Sequence, residues 1–356
     1  MDGLQNWART KLKRRQFRTI YEVIMQAEAL KDFRYEKPDK TTGEDMRGSQ
    51  DHDGGDGGKG EEQRPHPKKH DTNKSDNKKS GRHGDMERTI EVAKRGGCYI
   101  CGVQSQLTKE IPYNAVVSTD GIGNFNTTSG AILATPDHNV KPLFINLKNG
   151  TYQKYIRVDE TKTTIILIRE GMNTMIITDN RSFVDGNRTY DTAIVGVAGN
   201  GFIAQNITFR NNVGPIKHQA VTLRVDADLV SFYECHFDGY QDTLYVKRQI
   251  QSYCDCEIYR TIDFICGDAT AVFQNYLIEA CTPMARQYNT IIEKHQELEL
   301  FASGILFQNC TIKATHDLEK SVNVTTYLGR PWGLFSRTVI MESYIDRLID
   351  PRGWVE

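Results

Sequence analysis

FIAQNITF at residues 202–209 is followed by VSFYECHF at 230–237, QSYCDCEI at 251–258, AVFQNYLI at 271–278, ILFQNCTI at 305–312 and TVIMESYI at 338–345. Each is a short run of alternating apolar residues, and most carry a polar residue at the same place. Their recurrence falls within the period of roughly 20–50 residues that marks a solenoid, in which each unit buries its apolar face only against its neighbours. No helical pattern separates the strands, which favours a parallel β-helix over a βαβ sheet. A β-sandwich with chance likeness between strands is the alternative. The expected fold class is therefore all-β, a parallel β-helix.

Outward from this region the texture changes. Residues 1–35 read as helical, since Phe17, Ile20, Ile24, Ala27 and Leu30 follow the 3.6-residue period. Residues 36–111 are polar and low in complexity, as in DHDGGDGGKGEEQ. Such a stretch buries too little apolar surface to offset its ordering entropy, so disorder is expected. Residues 112–356 form the repeat domain. The chain has 356 residues, 45 Lys plus Arg against 46 Asp plus Glu, and a formal net charge of -1. That balance argues against a chain specialised for nucleic acid as a whole. Its 8 cysteines are too sparse for a disulfide framework. No run of about 18 apolar residues exists, so no membrane span is expected. The start, MDGLQNWARTKLKRRQF, has no apolar core of a leader, so no secretory signal is expected.

Chemistry-bearing residues sit at regular intervals: Gln219 in HQAVTLR, Gln241 and Asp242 in GYQDTLY, Asp263 in TIDFICG. The step from Gln219 to Gln241 is within one position of the step from Asp242 to Asp263. If one coil takes a step of that length, these side chains stack on successive coils about 4.8 Å apart. Two carboxylates so close cannot both ionise easily, so one pKa rises. The raised one suits a general acid and then a base, and the ionised one a nucleophile. Glutamine N–H groups suit a developing oxyanion. Arg330 in LGRPW suits an acidic sugar, and Trp332 a sugar ring. Singly, Asp and Gln in solenoid turns more often cap backbone groups. The joint spacing is what points to a site.

The stretch from about Ala115 to Glu356 resembles the plant pectin methylesterases. It does so in AVVSTDGIGNFNT, NGTYQKYIRV, FVDGNRTYDTAIVGVAGNGFIAQNITFRNNVGP, KHQAVTLRVDADLVSFYECHFDGYQDTLYV, IDFICGDATAVFQN and TYLGRPWGLFSRTVIMESYIDRLIDPRGW. The resemblance implies a right-handed parallel β-helix and hydrolysis of galacturonate methyl esters. Asp263 would be the nucleophile and Asp242 the general acid and base. Gln219 and Gln241 would hold the oxyanion. Arg330, Trp332 and Thr189 would bind substrate. It implies a disulfide between Cys235 and Cys256, and no metal or organic cofactor. Methylesterified pectin (homogalacturonan) would be the partner, with a proteinaceous pectinesterase inhibitor as a second. The family location is secreted, in the cell wall, and sequons at Asn126, Asn149, Asn187 and Asn206 fit a secretory ancestry.

The chain departs from that pattern in several places. RTIDFICG stands for the usual GTxDFIFG, with Arg260 for glycine and Cys266 for an aromatic. Lys154 replaces an acidic residue. TIIEKHQ at 290–296 replaces a TAQGR-like segment, and Tyr276 stands where a cysteine often pairs with Cys310. The chain ends shortly after DPRGW, at Glu356, where relatives run on, so an uncapped last coil and weak activity are expected. At the other end, MDGLQNWARTKLKRRQFRTIYEVIMQAEALKDFRYEKPDK resembles the capsid-side end of a retrotransposon gag polyprotein. GGCYICG, with Cys98 and Cys101, looks like half a zinc knuckle. Two ligands do not make a four-coordinate site, and the next His and Cys are His138 and Cys235. A fusion of a retroelement fragment with an esterase fragment is the expected origin of this layout, the rival being a two-domain protein that tethers an esterase to nucleic acid.

Three other functions compete with an active esterase. One is a β-helix that binds pectin without turning it over. The second is nucleic-acid binding through the basic stretch 64–95, which lacks interleaved aromatics. The third is a pectate lyase, which needs clustered acidic calcium ligands.

Overall fold

The computed structural model describes residues 113–169, 175–299, 303–321 and 323–355. The segment expected to be helical over 1–35, the linker over 36–111 and the Cys98–Cys101 pair lie outside the described residues. Three sheets of nine, seven and eight strands run along the domain. Neighbours within each sheet come from successive coils, and every strand pairing is parallel. The chain therefore winds as a right-handed parallel β-helix, one strand per sheet per coil.

The repeated polar residue marks one corner of each coil. Asn206, Glu234, Asp255, Asn275, Asn309 and Glu342 all have φ between 51° and 59°. The left-handed region suits short polar side chains that hydrogen-bond locally. Here they bond along the axis: Asn309 Nδ2 donates to Asn275 Oδ1 at 2.8 Å, and Asn275 Nδ2 to Asp255 Oδ1 at 2.9 Å. Asn206 is a sequon asparagine, yet it is only 8% exposed and serves this corner.

Inside, residues at matching positions stack. Phe232, Tyr253, Phe273 and Phe307 are register partners in the nine-stranded sheet. Their ring centroids lie 5.1, 4.7 and 4.8 Å apart and nearly parallel. The strand spacing thus sets the ring spacing, and each aromatic pair adds about 0.5–1.5 kcal/mol beyond its area burial. Cys235 and Cys256 also stack on adjacent coils, with the Cys235 N–H 3.3 Å from Cys256 Sγ. Both are free thiols, so the disulfide implied by the resemblance is not formed here. The thiols are turned to main-chain carbonyls instead: Cys235 Sγ to Tyr233 O at 3.4 Å, Cys256 Sγ to Cys254 O at 3.1 Å.

Arg260 breaks the apolar pattern. It follows the inward parity of Ile258 in the Glu257–Arg260 strand and is 0% exposed. Its Nη1 stands 3.5 Å from Asp238 Oδ1, and among the described residues none of its side-chain nitrogens has a hydrogen-bond partner. Burial pushes its pKa down to about 10, against the pull of Asp238. Asp238 has a closer partner in Arg210, at 2.6 Å. Replacing a poorly satisfied buried ion by an apolar side chain of similar volume is often stabilising by about 1–4 kcal/mol. Arg260→Met should therefore raise the denaturant midpoint of unfolding. An unchanged or lower midpoint would contradict this.

Candidate active site

The seven-stranded sheet carries the chemistry-bearing residues on its outer face. Three of its strands are Leu244–Arg248, Ile262–Gly267 and Asn289–Lys294, adjacent in that order. Gln219, Gln241 and Ile262 pair as isolated parallel bridges, so the two glutamines lie on successive coils. Asp242 and Asp263 each follow that column by one residue, with φ of 56° and 47°. The register between Ile262–Gly267 and its neighbour Asn289–Lys294 also shifts between Ile262 and Ile265. A bulge of this kind re-aims a side chain away from the regular alternation. Asp tolerates the conformation better than a branched residue would.

Asp263 is 0% exposed and Asp242 8%. Arg330 grips Asp263 with two nitrogens: Nη2 donates to Oδ2 at 2.6 Å and Nε to Oδ1 at 3.2 Å. Thr290 Oγ1 donates to the same Oδ1 at 2.7 Å. Arg330 is placed by the chain running alongside the Asn289–Lys294 strand: its N–H donates to Ile292 O at 2.9 Å, and that of Trp332 to Lys294 O at 3.0 Å. Gly329 permits this approach, since a Cβ there would meet Ile292 O at 2.1 Å.

A third carboxylate joins the pair. Glu293 Oε1 lies 3.1 Å from Arg330 Nη2, and carboxylate oxygens of Asp242, Asp263 and Glu293 all lie within 4.8 Å of one another. Such a triad suits a cation, and the Arg330 guanidinium supplies positive charge here. Burial raises the Asp242 pKa well above the usual carboxylate range, and the charges of Asp263 and Glu293 add to it. Burial, then Asp263, pushes Glu293 up to about 7 against the pull of Arg330. Burial works against the charge on Arg330, but its pairing with Asp263 and Glu293 outweighs this and raises its pKa. The Cys266 thiol is pushed up by burial and by the same carboxylates.

A cavity of about 270 Å³ opens onto this cluster, lined by His218, Gln241, Ile262, Tyr288, Thr290 and Arg330 among others. Another cavity, about 310 Å³, lies between Leu318 and Leu348 and gathers no comparable group of acids and amides. Trp332 is 50% exposed, with its ring 4.5 Å from His295. Thr189 stands apart, at the start of the Thr189–Thr192 turn, where its carbonyl accepts from Thr192 Oγ1 at 2.7 Å. The sequence reading missed Thr290 and Glu293. Both sit in TIIEKHQ, which was legible only as a departure. In the same segment Lys294 is 1% exposed and ties the strand end inward, donating to Asp268 Oδ1 at 2.6 Å and Ser303 Oγ at 2.9 Å.

This arrangement offers a buried carboxyl group, a clamped carboxylate and two stacked glutamines, of which Gln241 lines an open cavity, parts that acyl transfer can use. Comparison with known proteins agrees in kind. The family model described as Pectinesterase matches residues 114–356. Pectinesterase/pectinesterase inhibitor PPE8B of Prunus persica is 48% identical over 248 residues, which are 69% of this chain and 48% of that protein. Probable pectinesterase 56 of Arabidopsis thaliana is 44% identical over 240 residues, 67% of this chain and 83% of that one. The chain spans about half the length of the first curated relatives it matches. Among solved structures, pectin methylesterase from carrot is similar with a TM-score of 0.69 and 39% identity, over 70% of this chain and 78% of its own. Pectin methylesterase PemA from Erwinia chrysanthemi follows with a TM-score of 0.61 and 26% identity, over 68% and 81%. With the family model matched from residue 114 onward, the chain belongs to the pectinesterase family.

Proposed function

We infer that the domain hydrolyses galacturonate methyl esters of pectin and releases methanol. The observation that carries this is the pair Asp242 and Asp263, one kept protonated by burial and the other clamped by Arg330. Asp263 attacks the ester carbonyl carbon. The amide groups of Gln219 and Gln241 hold the oxyanion. Asp242 gives its proton to the departing methoxide, which leaves as methanol, and an acyl anhydride on Asp263 remains. Asp242, now a carboxylate, takes a proton from water, whose oxygen attacks the same carbon. Asp263 is released, Asp242 is protonated again and the product carries a free carboxyl. Trp332 stacks on a sugar ring and Thr189 contacts the chain further along.

A solved pectin methylesterase similar to this chain was captured with a hexasaccharide, which supports an oligosaccharide in the corresponding cleft. We place the activity at the plant cell wall, where the substrate lies, and the sequon residues Asn126 and Asn149 are exposed. Glycans on them in protein recovered from plant tissue would support that. An unglycosylated chain confined to the cytosol would contradict it.

The test of the function is methanol release from methylesterified polygalacturonate by the purified full chain with a calcium chelator present. Methanol release unaffected by the chelator is expected. Calcium-dependent chain cleavage leaving unsaturated ends, without methanol, would point to a lyase instead.

A further inference from the structure

Glu293 has no part in the reaction just described, yet it is built into the site. It pairs in register with Cys266 of the preceding coil, on the outer face of the seven-stranded sheet. Its Oε1 meets the same Arg330 nitrogen that grips Asp263, at 3.1 Å against 2.6 Å. Its side chain is 17% exposed, and the Arg330 that it meets lines the cavity. One guanidinium is thus shared between two carboxylates next to the reacting position.

We propose that Glu293 sets substrate selectivity, making the site disfavour pectin stretches with free galacturonate carboxylates and favour stretches whose neighbouring units are esterified. The proposal rests on the esterase reading. Arg330 is the cation nearest the nucleophile, and with Glu293 ionised its charge is more than matched by Glu293 and Asp263. An anionic sugar beside the reacting ester then meets net negative charge at short range, where partial burial limits screening. A methyl ester carries no charge and meets no such penalty.

Among the described residues the groups facing Glu293 are few. They are Asp242 from the turn before Leu244–Arg248, Asp263 and Cys266 from Ile262–Gly267, and Arg330 after Thr326–Gly329. His218 and Arg286 lie at the exposed rim of the cavity, where water and salt screen them. Glu293 loses its charge as pH falls through about 7, so the discrimination should weaken below that value.

The test compares wild type with Glu293→Gln, which keeps the shape and removes the charge. Two substrates are used: fully methylesterified polygalacturonate, and a partly esterified one with free acids interspersed. Per ester group, wild type above pH 7 should favour the first by about tenfold in kcat/KM, and Glu293→Gln should lose that preference. The difference should lie in KM for the partly esterified substrate. In parallel, calorimetry with non-esterified oligogalacturonate should show about tenfold tighter binding to Glu293→Gln at low salt, with the gap closing below pH 7. Equal substrate ratios together with equal affinities would overturn the proposal. If wild type releases no methanol from either substrate, the esterase reading fails, and the binding comparison alone then decides the role of Glu293.

Discussion

Asp263→Asn should cut methanol release from methylesterified pectin by about 10⁴-fold or more, as removal of a nucleophile does in other acyl-transfer sites. The substitution keeps the shape of the side chain and its contact with Thr290. Arg330 keeps Glu293 as a partner at 3.1 Å, so the loss should come without unfolding. A neutral amide cannot attack the ester carbon, and Asp242 has no charge to offer in its place while it holds its proton. Release of methanol by the variant at near the wild-type rate would remove Asp263 from the nucleophile's role.

Asp242→Asn should lower the rate by about 10²–10⁴-fold, the usual worth of general acid–base help. It should cost little stability at neutral pH, because burial favours the uncharged acid at Asp242 and the amide is uncharged too. The sign follows from burial. The folded pKa of Asp242 lies well above its unfolded value, so wild type loses stability as pH rises from about 4 towards the folded value. The variant has no proton to lose and should not show that decline. Measuring the denaturant midpoint across pH checks this. A variant less stable than wild type at every pH would mean that the Asp242 carboxylate is needed for folding, not for proton transfer.

Much of the fold was legible because a solenoid writes its geometry into the sequence. The polar residue repeated in FIAQN, VSFYE, QSYCD, AVFQN, ILFQN and TVIME is the left-handed corner between two sheets. The near-equal steps from Gln219 to Gln241 and from Asp242 to Asp263 match the coil length there, as the bridges of Gln241 to Gln219 and to Ile262 require. The arithmetic fails one coil later. Ile265 pairs with Ile292, a longer step, because the chain makes an excursion around Cys281–Tyr288 before rejoining the sheet. Thr290 and Glu293 therefore fell outside any spacing argument, although both touch the Asp263–Arg330 pair. Trp332 was singled out as a candidate sugar platform only by residue type. Its place follows from main-chain bonds to Lys294, which no periodicity encodes. Cys235 and Cys256 illustrate the opposite case. They stack one coil apart, but their sulfurs are turned to main-chain carbonyls and not joined as the resemblance implied.

The central claim is that the column of Gln219 and Gln241 beside Asp242 and Asp263 holds a methyl ester for attack. The most direct measurement is a crystal structure of the Asp263→Asn variant with a fully methylesterified oligogalacturonate. The account predicts an ester carbonyl carbon within about 3.5 Å of the side chain at position 263. It also predicts the carbonyl oxygen facing Gln219 and Gln241 and the methoxy oxygen facing Asp242. An oligosaccharide bound away from this cavity, or one presenting a ring hydroxyl there instead of the ester, would contradict it.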